Sequence, residues 1–184
     1  MKAGAAALAL LLTGCAGAPE IALSPLARRV PEERPMEGLC GSLVYGLTCV
    51  APQGYDLLEE TPGPGLVMRY TSREATGPER AHLILRAYPL RDRKLSWVFE
   101  ENAVKPLRSA DGVSDVRVKE GSLGARRGLA LVARRDGASW SFVHKAFAFQ
   151  REGVVFVVEH AVPAPKAKSQ GAVLEDFVGS LAFR

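Results

Sequence analysis

Residues 153 to 162 read Gly-Val-Val-Phe-Val-Val-Glu-His-Ala-Val, and this run limits the fold more than any other feature of the chain. In an extended segment successive side chains point to opposite faces, so Val154, Phe156 and Val158 share one side and Val155 and Val157 the other. Both sides are apolar over the first half of the run. Such a strand belongs in the middle of a sheet covered on both faces, which implies layers above and below it.

The flanking sequence supplies the rest of that sheet. Leu43 to Val50 is rich in β-formers and leads into the turn Ala51-Pro52-Gln53-Gly54-Tyr55, which predicts a first strand. After the loop Pro62-Gly63-Pro64-Gly65, Leu66, Met68 and Tyr70 alternate with Val67, Arg69 and Thr71. Residues 81 to 88 place Ala81, Leu83, Leu85 and Ala87 opposite His82, Ile84, Arg86 and Tyr88. The period then changes to that of a helix through Leu95, Val98, Phe99 and Ala103, with Pro106 expected to stop it. Strand-like runs return at Val113 to Lys119, Gly128 to Arg135 and Ser139 to Gln150, the last two joined by an Asp136-Gly137 hairpin signal. Val173, Leu174, Phe177 and Val178 have helical spacing, and Ser180 to Phe183 read as extended. The order predicts an α+β domain, a largely antiparallel β-sheet flanked by helices.

The N-terminus predicts where this domain works. Lys2 precedes a run of Ala, Gly and Leu from Ala3 to Leu12, about ten residues long and well short of the roughly 20 that span a bilayer as a helix. It reads as a signal sequence. Leu12-Thr13-Gly14-Cys15 resembles the lipobox of bacterial lipoproteins, which implies cleavage between Gly14 and Cys15 and lipidation of the Cys15 thiol. Ala16 in place of an aspartate favours delivery to the outer membrane, facing the periplasm. Two or three acyl chains would hold the protein there essentially permanently.

The organisation that follows is a leader over residues 1–14, a lipidated cysteine with a proline-rich tether over 15–36, and one globular domain over 37–184. Pro19, Pro25, Pro31 and Pro35 interrupt the segment from Ala16 to Met36, which carries no sustained apolar period. As flexible coil this segment extends about 25 Å, and as polyproline-like chain about 60 Å. Either length lifts the domain clear of the headgroups. A domain of roughly 145 residues buries about two thirds of its unfolded surface and does not need a disulfide framework.

Cys40 and Cys49 remain after lipidation, in a compartment where disulfides persist, so a bond between them is expected. Closing their ten-residue loop is worth about 2.5–3 kcal/mol by chain entropy. A metal site and a free thiol are the alternatives, but no second cysteine pair or nearby histidine supplies ligands for zinc.

The chain carries few residue patterns that point to chemistry. Loss of Lys2 with the leader leaves 23 basic against 20 acidic side chains, a mild net charge of about +3 with no call for nucleic acid as a partner. Arginine outnumbers lysine 17 to 7, a bias that a GC-rich genome also produces. Pro62-Gly63-Pro64-Gly65 lacks the lysine and the backbone donors of a phosphate loop. His82, His144 and His160 fall on predicted strands and in no recognised ligand spacing, so no metal and no cofactor is expected. Ser139 and Ser141 lie in no nucleophile elbow. The pairs Arg126, Arg127 and Arg134, Arg135 flank one strand and offer a weak anionic-ligand patch, with Arg69 or Arg86 as further members. Trp97, Phe99, Trp140, Phe142, Phe147 and Phe149 are expected in the core rather than around a ligand.

The run Leu47-Thr48-Cys49-Val50-Ala51-Pro52-Gln53-Gly54-Tyr55, the approach Arg127-Gly128-Leu129, the strand pairs around Asp136-Gly137 and Glu152-Gly153, and the closing helix and strand over Val173 to Phe183 together resemble the PsbP-like and Mog-type proteins. The resemblance covers about residues 43 to 184. It implies an α/β/α sandwich and a binding or assembly role, since members associate with a photosynthetic complex or bind a small GTPase, and many bacterial members are lipoproteins. No binding residue of the family carries over. The expected function is a non-enzymatic envelope module that meets a protein partner, with small-ligand or metal binding as the alternative.

Overall fold

The computed structural model describes residues 39–58, 65–74 and 79–184. Its centre is the strand that is apolar on both faces. Val154–Pro163 forms β9, fourth in a seven-stranded antiparallel sheet of order β3-β4-β5-β9-β8-β7-β6. The other strands are β3 (Tyr55–Leu57), β4 (Leu66–Ser72), β5 (His82–Pro89), β6 (Val113–Leu123), β7 (Arg126–Asp136) and β8 (Ser141–Arg151). A second, three-stranded sheet of order β1-β2-β10 contains β1 (Leu39–Ser42), β2 (Leu47–Val50) and β10 (Ala182–Phe183).

Each face of β9 has its own cover, as its two apolar sides require. Val155 and Val157 are fully buried beneath Val98, Phe99, Ala103 and Val104 of a helical segment that also covers Leu131, Ala133, Ala146 and Ala148. On the other face Phe156 and Val158 join Phe147, Phe149, Leu83 and Leu85 against Leu174, Phe177 and Val178 of α3 (Val173–Ser180) and against the small sheet. Full burial of each such side chain stabilises by about 1.5–3 kcal/mol. The alternation on β5 is the one read from sequence, with Leu83, Leu85 and Ala87 buried and His82, Ile84, Arg86 and Tyr88 intermediate.

Four expectations need correction. Leu43–Gly46 is a turn, not strand: β1 precedes it, Gly46 takes φ +57, and the Gly46 N–H donates to Leu43 O across the four-residue loop. Tyr55 does not belong to the turn but opens β3, paired with Ser72.

Pro106 does not stop the helix. The segment runs as α1 (Leu95–Phe99), a π-helical turn (Glu100–Val104) and α2 (Lys105–Arg108). The Lys105 N–H donates to Glu100 O, so the ladder has already slipped by one residue, and Pro106 sits in the first turn of a new α-segment, where its missing N–H costs least.

β6 and β7 are longer than predicted, and β8 begins two residues later. Gly121 pairs with Gly128 inside β6–β7, and these two glycines with their charged neighbours hid the strand continuity. Between β7 and β8, Asp136 pairs with Ser141, and the Gly137 N–H donates to Trp140 O, which places Ser139 in the turn.

Cys40 and Cys49 are register partners on β1 and β2, joined by a disulfide with their Cα atoms 4.8 Å apart. The separation is that of a non-hydrogen-bonded antiparallel pair. Cys49 Sγ also lies 3.8 Å from Met68 Sδ, which seats the staple on the core. The cleavage and lipidation site at Gly14 and Cys15 and the tether lie outside the described residues.

Candidate functional site

The three histidines do not converge. His82 on β5 and His144 on β8 are both in register with Ala161 of β9, one on each side of it, which sets their backbones two strand spacings, about 9.6 Å, apart. His160 is the residue before Ala161 and therefore points to the opposite face. Among the described residues no group of three or more His, Cys, Asp or Glu side chains comes together.

His160 has a defined environment. It is 1% exposed, and its Nε2 stands 2.9 Å from Tyr55 Oη. The hydroxyl proton of Tyr55 goes to Gln170 Oε1 at 3.2 Å, so Oη accepts from the Nε2–H of His160. This assigns the ε tautomer, and Nδ1 is left as a buried lone pair with no hydrogen-bond partner. Burial, aided by Lys145 on the neighbouring strand, pushes the imidazole down to about 4. Burial, aided by Glu74, pushes the Tyr55 phenol up to about 12. Neither group changes charge near neutral pH, so the pair works as a structural lock rather than a proton relay. On the other face burial and then Arg135 hold His144 down to about 4.

The arginines of the predicted patch separate into two ends of β7. Arg126 and Arg135 are nine residues apart on one strand, about 30 Å. At one end the Arg126 guanidinium donates to Leu181 O and lies over the rings of Phe149 and Phe183, while Arg127 is exposed. At the other, Arg134 Nε donates to both carboxylate oxygens of Asp136, and Arg135 donates to Asp111 O and lies over Trp140. Arg86 pairs with Glu159 at 3.3 Å on the α1 side of the sheet. The separation of the two arginine pairs follows from the eleven-residue length of β7. Of the aromatics, Phe99, Phe142, Phe147 and Phe149 are core, but Trp97 is 42% exposed beneath the Arg93 guanidinium.

What the arginine pattern did not reveal is a groove on the α3 side of β6, β7 and β8, with a volume of about 590 Å³. Ala130, Val132 and Val143 form its floor, and Arg117, Lys119 and Arg134 its rim, with Asp115 at one end. The register explains the set: Arg117 pairs with Val132, Lys119 with Ala130, and Arg134 with Val143, so floor and rim share one face of three adjacent strands. Lys145, opposite Val132 on β8, adds a further cation to that face. Val132 remains 43% exposed. Small apolar side chains make the trench, and the carboxylates beside it, Asp115 and Asp136, are held in exposed ion pairs to Arg117 and Arg134. Next to the groove β6 is the edge of the sheet. Its ladder is interrupted between Ser114 and Arg117, where Asp115 has φ +53. Such a bulge together with Arg117 and Lys119 blunts the edge against indiscriminate strand pairing.

A twisted antiparallel sheet with helical cover on both faces and a terminal helix–strand unit defines this chain as an α+β protein of PsbP-like fold. Among solved structures it is similar to the cyanobacterial PsbP protein, CyanoP, of Synechocystis, with a TM-score of 0.57 and 9% identity over 83% of this chain and 96% of that one. It is also similar to LpqN, described as involved in cell envelope biogenesis of Mycobacterium tuberculosis, with a TM-score of 0.55 and 12% identity over 74% of this chain and 82% of that one. The Pseudomonas aeruginosa protein PA94 matches with a TM-score of 0.51 and 8% identity over 71% of this chain and 97% of that one. No family model and no curated protein matches the sequence.

Proposed function

We propose that this chain is a non-enzymatic binding or scaffold module of the cell envelope, anchored through lipid on Cys15 in the outer membrane and facing the periplasm, and that it docks another envelope protein through the β6–β8 face. The observation that carries the reading is the groove, whose apolar floor and cationic rim adjoin an edge strand. That combination suits an extended acidic segment of a partner, which gains apolar contact on the floor, charge complementarity along the rim, and backbone pairing only with the stretch of β6 beyond the Ser114–Arg117 bulge. The signal sequence, the lipobox and the proline-rich tether support the setting. The description of LpqN as an envelope-biogenesis protein agrees with it.

The test is site-specific photocrosslinking from position 132 in intact cells expressing the full lipidated chain. A reproducible protein adduct that disappears with the charge reversals Arg117→Glu and Lys119→Glu is expected. An adduct indifferent to those reversals would overturn the protein-docking reading. A small anionic molecule co-purifying with the chain, in the absence of any adduct, would transfer the groove to the small-ligand alternative, whose usual cavity size it also meets.

A further inference from the structure

The turn between β1 and β2 is built in a way that core packing does not explain. Leu43 is 72% exposed and Val44 is 79% exposed, adjacent large aliphatic side chains at the tip of a hairpin. The hairpin is stiff. Its strands are stapled by the Cys40–Cys49 bond, and its far end is tied to β10 by the Arg184 N–H donating to Gly46 O. Tyr45 does not join its neighbours in solvent but packs edge-on against Phe156 at 5.7 Å.

Beside this tip lies a second feature. Phe183, in register with Leu47, packs at a tilt against Phe156 with ring centroids 5.0 Å apart and has two guanidiniums over it, Arg151 at 4.7 Å and Arg126 at 5.8 Å. Glu152 forms an exposed pair with Arg151 at 3.1 Å. Arg126 gives its hydrogen bond to a backbone carbonyl, so its charge is not neutralised.

We infer that the β1–β2 tip is a membrane-contact element, in which Leu43 and Val44 enter the headgroup region of an anionic bilayer while Arg126 and Arg151 meet its phosphates. Two side chains on a four-residue turn offer too little area for a stable protein interface, which needs about 800 Å² per partner. They suit insertion of about 5–10 Å into the headgroup and acyl boundary. The hairpin base at Leu39 lies only four residues, about 13 Å, from the tip, so a proposed tether with a reach of about 25–60 Å lets the tip come down to the surface as well as stand off it. The groove floor at Val132 lies six residues along β7 from Arg126, about 20 Å away. Contact at the tip therefore leaves the groove open to a partner, and the inference stands or falls separately from the docking role.

The test is sedimentation of the full mature chain carrying Cys15→Ser, and hence no acyl groups, with vesicles of phosphatidylglycerol and phosphatidylethanolamine and with vesicles of phosphatidylcholine. Binding to the anionic vesicles that weakens with added salt is expected. The double substitution Leu43→Ser, Val44→Ser should reduce it at least about ten-fold, and Arg151→Gln about five-fold. Circular dichroism of both variants confirms that the exposed substitutions leave the fold intact, and the groove variant Lys119→Glu should bind vesicles as the parent does. Equal recovery with and without vesicles, or undiminished binding by the double variant, would overturn the inference. So would a concentration-dependent dimer that the double variant abolishes, since the tip would then be a contact between two copies of this chain.

Discussion

Tyr55 and His160 lie 105 residues apart in sequence and 2.9 Å apart in space, one opening the edge strand β3 and the other buried on the central strand. The bond holds the start of the large sheet to its middle, and through Gln170 it also fixes the loop that leads into α3. Nothing in local sequence pairs these residues. The alternation of β9 shows that His160 shares a face with Val158 and Val162, but its partner depends on how β3 joins the sheet.

Tyr55→Phe removes only the hydroxyl and keeps the ring. His160 Nε2–H and Gln170 Oε1 then lose their partner in a buried site, so a loss of about 1–3 kcal/mol in unfolding free energy is expected. Urea denaturation reads it directly. A variant as stable as the parent would show that water already satisfies these groups.

Acid should weaken the fold in a window set by the histidines. His144 and His160 both have folded values near 4, against about 6.5 in the unfolded chain. Between those values the unfolded state binds more protons, so the histidines' contribution to stability is complete above about pH 6.5, declines as pH falls, and is lost by about pH 4. For His160 alone the shift corresponds to about 3 kcal/mol. Glu159 acts in the opposite sense, because burial raises its carboxyl, with Arg86 opposing, and a raised carboxyl stabilises the fold as pH falls. The clean measurement is the difference in Tm between the parent and His160→Phe across pH 7 to 4.5. The parent should lose stability more steeply, and parallel curves would refute the assignment.

The sequence made the layers legible because a strand apolar on both faces has one stable setting, and β9 occupies it. The helices were legible for the same reason, through the spacing of Val98, Phe99, Leu174 and Phe177. Of the small sheet, β2 and β10 lie inside runs that read as extended, whereas β1 and the Leu43–Gly46 turn were not legible. Leu43 and Val44 continue the β-rich composition of Leu47 to Val50, and composition cannot distinguish an aliphatic residue that packs from one left in solvent. The groove was hidden for a different reason. Arg117, Lys119, Val132 and Val143 belong to three strands, and only register places them on one face. Arg126, Arg127, Arg134 and Arg135 are close in sequence at the two ends of one strand, and strand length carries the two pairs far apart in space.

Loss of the Cys40–Cys49 bond should be felt at the start of the domain. Cys40→Ser with Cys49→Ser removes the constraint on a ten-residue loop, and an unfolding free energy lower by about 2.5–3 kcal/mol is expected by chain entropy. Intact mass after alkylation provides the chemical check. Two adducts should form only after reduction, and two adducts without reductant would show that the thiols are free.

Two glycine-to-alanine substitutions should move stability in opposite directions. A Cβ on Gly128 would lie 1.9 Å from Ala148 O and 3.1 Å from Phe147 Cζ. The first contact is with backbone at the end of the β7–β8 ladder, one residue beyond the Leu129–Ala148 pair, where movement must disturb the pairing of Ala148 with Val157 of β9. Gly128→Ala should therefore cost about 3 kcal/mol, at the upper end for overpacking. A Cβ on Gly179, in α3, meets no atom within 4 Å, and its φ is not positive. Gly179→Ala should stabilise by about 0.5–1 kcal/mol, because alanine loses less backbone entropy in a helix. Thermal unfolding of the two variants beside the parent tests the pair. If Gly128→Ala melts with the parent, β7 and β8 do not approach as closely as their register requires.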